Sequence, residues 1–171
     1  MTSQIFKNRL GTPTNLPDGG TYDLLMIDFP NSFPEGKITF DLGETPRKIT
    51  GIQKVAQTFL KILFTTVGSN VLMPNQGTMF PLLTVNANVT QNDTIFASEL
   101  AGEVKNAESQ TKYILNMVNS DPASQLQEIS IIGLDVSGES VIMYLRMLTL
   151  AGAFAQVAIP FPQLDMVLSE K

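Results

Sequence analysis

The 171-residue chain has no cysteine, no histidine and no tryptophan. Without cysteine there is no disulfide framework, thiolate nucleophile, zinc finger or iron–sulfur cluster. Without histidine there is no Ser-His-Asp or Cys-His site and no imidazole metal cluster. General acid–base work would fall to Asp, Glu, Lys or Tyr. Basic residues are scarce, 11 against 16 acidic ones, so the net charge is −5. That balance argues against nucleic-acid binding, which needs a clustered Lys/Arg surface. No apolar run is long and uninterrupted enough to span a bilayer. Met1 leads into Thr2-Ser3-Gln4, not a basic region followed by an apolar run, so no secretory signal is expected. The expectation is a soluble, non-exported protein without a metal or cofactor. One domain, with or without an extension, fits this length. A chain of this size buries roughly 68–70% of its unfolded surface and needs no covalent staple.

Charge is also missing locally. Residues 46–92 contain Arg47, Lys48, Lys54 and Lys61 but no carboxylate, whereas residues 1–45 and 93–171 are net acidic. A basic helix face carrying Lys54 and Lys61 can be a solvated face whose acidic partners lie elsewhere in the fold. It can also meet an acidic partner.

Three regions follow from punctuation and periodicity. Residues 1–45 are broken by Gly11-Thr12-Pro13, Leu16-Pro17-Asp18-Gly19-Gly20 and Pro30–Gly36. Strand-like runs at Tyr22–Phe29 and Lys37–Leu42 lie between them, so this region reads as an irregular arm with one or two strands. Residues 46–162 form the main domain, and 163–171 a tail. The domain opens with an amphipathic helix whose apolar stripe runs from Ile49 through Phe59 and Leu63 to Val67. Thr45-Pro46 or Thr50 can cap its start, and Gly68 suits its C-terminal end. Leu72–Leu83 is predicted as turns with apolar residues tucked inward. A second helix is predicted from near Asp93 to Asn119, capped by Thr90 or Asn92 and stopped by Ser120-Asp121-Pro122. There Gly102 is a weak point that a close packing contact would explain. Leu126–Val136, Val141–Leu150 and Phe154–Phe161 then read as an antiparallel meander, with Ser137-Gly138 at the first turn. The expected fold class is α+β: two main helices packed on a three-stranded antiparallel β-meander, with an irregular N-terminal arm.

Sites for chemistry are few. Glu99, Glu103 and Glu108 lie at helical spacing, and paired carboxylates could serve a glycosidase. The plainer reading is an exposed helix face supported by Lys105 and Lys112. Asp135 and Glu139 flank a hairpin turn and read as turn chemistry and edge protection. Met73, Met79, Met117, Met143, Met147 and Met166 read as core filler. The strands at Val141–Met147 and Phe154–Ile159 are very apolar. A small sheet has edges that accept a strand from another chain, unless helices and arm cover it.

One stretch carries a family likeness. Ile62-Leu63-Phe64-Thr65-Thr66-Val67-Gly68, then Met73-Pro74-Asn75-Gln76-Gly77-Thr78, then Leu82-Leu83 resembles the Leu-Thr-x-x-Gly, short gap, Gly-Ser/Thr signature. That signature belongs to the sheath-initiator, or baseplate wedge, family of contractile phage tails. The family is often called lysozyme-like and has a relative in the type VI secretion baseplate. The likeness covers roughly residues 46–160. Two departures stand out. Ser69 replaces the usual Glu after the first glycine, and Asp121-Pro122-Ala123 stands where the family often has Glu-Pro-Arg. The resemblance implies a virion protein, made in the host cytoplasm, with no catalytic chemistry. Its implied partners are the tail sheath protein and baseplate wedge proteins, with the tail tube as a further candidate. They would meet in a symmetric assembly of several copies, with no nucleic acid or membrane. Partner contacts would come from Lys54 and Lys61, from Val141, Met143, Leu145 and Met147 on the strands or the alternate set, and from the arm. Gly68, Pro74 and Gly77 would shape the loop. The alternatives are a carboxylate-dependent cell-wall glycosidase, or an adaptor in another contractile injection assembly.

Overall fold

A computed structural model describes residues 23–24, 27–28, 39–40, 48–86, 94–117, 121–137 and 140–162. The tail at 163–171, most of the arm, the Thr45-Pro46 and Thr90–Asp93 caps and the 138–139 turn lie outside the described residues. So do Glu139 and Met166.

Helix α1 (Gly51–Leu63) is strongly amphipathic. Its Val55, Ala56, Phe59, Leu60 and Leu63 side chains are fully buried, as the three-and-four spacing requires. Thr50 is the N-cap, with extended backbone but no capping bond from its own side chain. The hydroxyl of Ser124 takes that part from across the fold, accepting the Gly51 N–H at 3.0 Å. Just before the helix, strand β4 (Lys48–Ile49) pairs antiparallel with β1 (Asp23–Leu24). A second ladder joins β2 (Ile27–Asp28) to β3 (Thr39–Phe40).

The helix ends four residues earlier than its apolar stripe predicts. Phe64 caps it, and Thr66 then forms a parallel bridge to Thr78. Gly68 is therefore not the helix terminator. It turns the loop farther on, at φ +84°. The stretch 80–83, predicted as turns, is instead the start of a short helix, α2 (Phe80–Asn86). Pro81 is compatible with it because the first helical N–H groups have no intrahelical partner.

Helix α3 (Thr94–Met117) buries Phe96, Leu100, Val104, Ala107, Thr111 and Leu115. Gly102 on it is exposed, and an added Cβ there would meet nothing within 4 Å, so no close packing contact explains it. Asp121 caps a 3-10 turn (Pro122–Ser124), accepting from Ala123 N at 2.7 Å and Ser124 N at 3.1 Å. The chain closes with β5 (Leu126–Ser137), β6 (Ser140–Thr149) and β7 (Phe154–Pro162). They form one antiparallel sheet in the order β5-β6-β7. Helices α1 and α3 pack on each other and on one sheet face. Met143, Leu145, Met147, Val157 and Ile159 fill the space between. This is an α+β fold, with the helical layer on one side of the meander.

Candidate interaction site

The loop that carries the family-like residues is braced from three sides. Thr78 donates its hydroxyl to the Leu63 carbonyl at 2.7 Å and its N–H to the Thr65 carbonyl at 2.8 Å. Val67 N–H donates to the Thr78 carbonyl at 3.1 Å, and Gly68 N–H to the Pro74 carbonyl at 2.9 Å. From α3, the Gln110 amide accepts the Gly77 N–H at 2.9 Å and donates to the Gly77 carbonyl at 2.8 Å. Glu103 accepts the Met79 N–H at 2.8 Å. The two halves of the motif thus meet at Thr65-Thr66 and Gly77-Thr78. A Cβ on Gly77 would stand 2.3 Å from the Thr65 carbonyl oxygen, and Gly77 has φ +112°. Only glycine allows the two backbones that close.

This bracing holds an apolar tip out into solvent. Val71 and Leu72 are 92% and 90% exposed, and Met73 is more than half exposed. For Leu72 and Met73 that reverses the expectation that they tuck inward. The cause is local: Asn70 accepts from Leu72 N at 3.1 Å and Met73 N at 3.4 Å, folding the tip on itself and away from the core. Met79, just before α2, and Leu82, in its first turn, are also exposed. The sequence held one signal of this surface, the lack of any charged residue between Lys61 and Asp93.

Several other sequence expectations change. Lys54 is buried, as is Gln57, so Lys54 is not on a solvated basic face, whereas Lys61 is half-buried. Val141, Met143, Leu145 and Met147 are fully buried beneath the helices. They build the core and do not face a partner, because the odd-numbered side chains of β6 point to the helical layer. Strand β6 is also central, with both neighbours in place, so a strand could add only at β5 or β7. The alternate set, Ile142, Tyr144, Arg146 and Leu148, lies on the other face. Arg146 there sits 5.4 Å from the centre of the Phe154 ring, a cation–π arrangement. Among the methionines, Met143 and Met147 are core, but Met73, Met79 and Met117 are exposed.

The carboxylates of α3 have structural positions. Glu108 is buried, not on an exposed face, and bonds Lys105 at 2.7 Å and Lys112 at 2.8 Å. Burial alone would raise its pKa. The hydrogen bonds and charges of the two lysines outweigh burial and hold the carboxyl below the ordinary glutamate value. Glu103 is held at the loop and Glu99 is exposed. Among the described residues no three His, Cys, Asp or Glu side chains group as a metal site, and no helix is long and apolar enough to cross a membrane.

No protein-family model matches the chain, and no curated protein matches it. Among solved structures it is similar to a protein of Geobacter sulfurreducens described as a candidate tail lysozyme. The two share 15% identity at a TM-score of 0.42, over 67% of this chain and 93% of the other. A likeness at that level does not bear on role.

Proposed function

We propose that this protein is a structural component of a contractile phage tail, placed where the baseplate meets the first ring of sheath. It works by adding a strand of a sheath subunit to its own sheet. Two things support the reading. The Ile62–Thr78 motif resembles that of sheath initiators, and Thr65, Gly77 and Thr78 are the residues that lock its two halves together. The observation that carries the mechanism is the strand order. Among the described residues, β5 and β7 each have one neighbour only. An outer strand directs every second N–H and C=O away from the sheet, and these recognise an extended chain through main-chain hydrogen bonds. In this reading the chemistry is association, with no bond made or broken, and wedge proteins bind the helical half.

The test is nucleation. Purified protein is mixed with the tail sheath subunit encoded by the same genome, and polymerisation is followed by light scattering and sedimentation. The expected result is a shortened lag with the protein retained at sheath ends. An unchanged lag with no co-sedimentation refutes it. Clearing of a cell-wall zymogram that is lost on Glu99→Gln or Glu103→Gln would establish the glycosidase alternative in its place.

A further inference from the structure

The two outer strands differ, and the register tells which of their backbone groups point away from β6. Thr149 N–H donates to the Ala153 carbonyl at 2.8 Å. In an antiparallel ladder, bonded and non-bonded pairs alternate. Leu148↔Phe154 is then a non-bonded pair, and so are Arg146↔Gln156, Tyr144↔Ala158, Ile142↔Pro160 and Ser140↔Pro162. Gln156 and Ala158 therefore point N–H and C=O away from β6. Both prolines occupy outward positions as well, where a missing N–H costs the sheet nothing. On the other side, even-numbered β6 residues bond β5. Ile129, Ile131, Leu134 and Val136 are consequently the outward residues of β5. Two independent bonds agree with this parity. Leu150 N–H donates to Gln125 O at 3.0 Å, and Lys105 Nζ reaches the outward carbonyl of Ile129 at 3.4 Å.

The β5 edge carries the usual guards against pairing. Its register breaks twice, between Leu126 and Glu128 and between Ile131 and Gly133. It bears two acids, Glu128 and Asp135, and Lys105 occupies one of its carbonyls. The β7 edge is different. Its ladder with β6 has no break, and none of its residues is charged. Its one guard is the proline pair at the far end. Helix α2 packs beside β7 with Leu82 exposed and exposed Met79 before it, which gives apolar support next to that edge.

Resting on the strand-addition reading, we propose that the accepting edge is β7 at Gln156 and Ala158. The incoming segment is extended, uncharged where it meets α2, and ends opposite Pro160, which offers no N–H. The β5 edge does not pair.

Amide-resolved hydrogen exchange of the full-length protein tests this, with and without the tail sheath subunit of the same genome. In the free protein Gln156 and Ala158 should exchange at least tenfold faster than Val157, whose N–H bonds β6. On binding, the rates of Gln156 and Ala158 should fall at least tenfold while Leu134 and Val136 stay unchanged. Slowing at Leu134 and Val136 alone would overturn the choice of edge and leave strand addition standing. Binding without slowing at either edge would overturn both. Ala158→Pro removes only an outward N–H and should weaken binding at least tenfold, and Leu134→Pro should leave binding unchanged. The reverse pattern, with both variants folded by circular dichroism, overturns the proposal.

Discussion

Gly68 and Gly77 look alike in the sequence, nine residues apart at the two ends of one loop, yet replacing each with alanine should have very different consequences. At Gly68 the backbone is left-handed, φ +84°, but nothing lies within 4 Å of an added Cβ. The cost of Gly68→Ala is then the left-handed penalty alone, about 1 kcal/mol. Part of that is offset by the reduced freedom of the unfolded chain. At Gly77 the φ of +112° is joined by contacts of 2.3 Å to Thr65 O, 3.0 Å to Thr65 C and 3.1 Å to Thr66 C. All three are backbone atoms, so no side chain can swing aside. Relief requires the Thr66–Thr78 bridge to open, with loss of the 2.8 Å Thr78–Thr65 bond and strain on the Gln110 clamp. Backbone strain of about 1–3 kcal/mol and one or two lost hydrogen bonds place Gly77→Ala at about 3–5 kcal/mol. Against a typical domain stability of about 5–15 kcal/mol, that is a large share. Urea denaturation followed by circular dichroism measures both variants on one scale, the midpoint shifting at constant slope. If Gly77→Ala costs no more than Gly68→Ala, the close backbone approach is not what holds this loop.

Two further outcomes are expected. Glu108 is buried between two lysines that remain 64% and 39% exposed, so Glu108→Gln should cost only about 1–2 kcal/mol at pH 7, after discounting for solvent screening. The folded pKa lies below the unfolded one, so this stabilisation is complete above the unfolded value of about 4.3 and is lost as pH falls through the folded pKa. The stability gap between wild type and Glu108→Gln should therefore narrow in acid, and a gap constant from pH 7 to pH 3 would refute the charge argument. At the loop tip, Val71→Ser with Leu72→Ser should leave the unfolding free energy from urea denaturation within about 0.5 kcal/mol per site, because neither side chain is packed. A loss of several kcal/mol would mean that the tip is part of the core.

Much of the architecture was legible because it rests on short-range rules. The stripe of α1 follows from residues three and four apart, and the strands from alternation that one buried face imposes. Residues at a fixed spacing on β6 separate cleanly into core and opposite face. What the pattern could not say was which face met the helices, and so Val141, Met143, Leu145 and Met147 read equally well as an interaction surface. Helix α2 was hidden because Phe80-Pro81 looks like a break, and a proline in a first turn is not one.

Sequence alone was enough for the α+β class, for the order of the two long helices and the three-stranded meander, and for the exclusion of cysteine and histidine chemistry. These depend on composition and on neighbours along the chain. Tertiary structure alone decided that Lys54 and Glu108 are buried and that α1 stops at Leu63. It also decided that Val71 and Leu72 stand in water and that β6 is central. Each of these depends on groups distant in sequence: Thr78 on Thr65, Gln110 on Gly77, Ser124 on Gly51. Burial and edge are properties of what the fold brings alongside a residue, and no local pattern contains them.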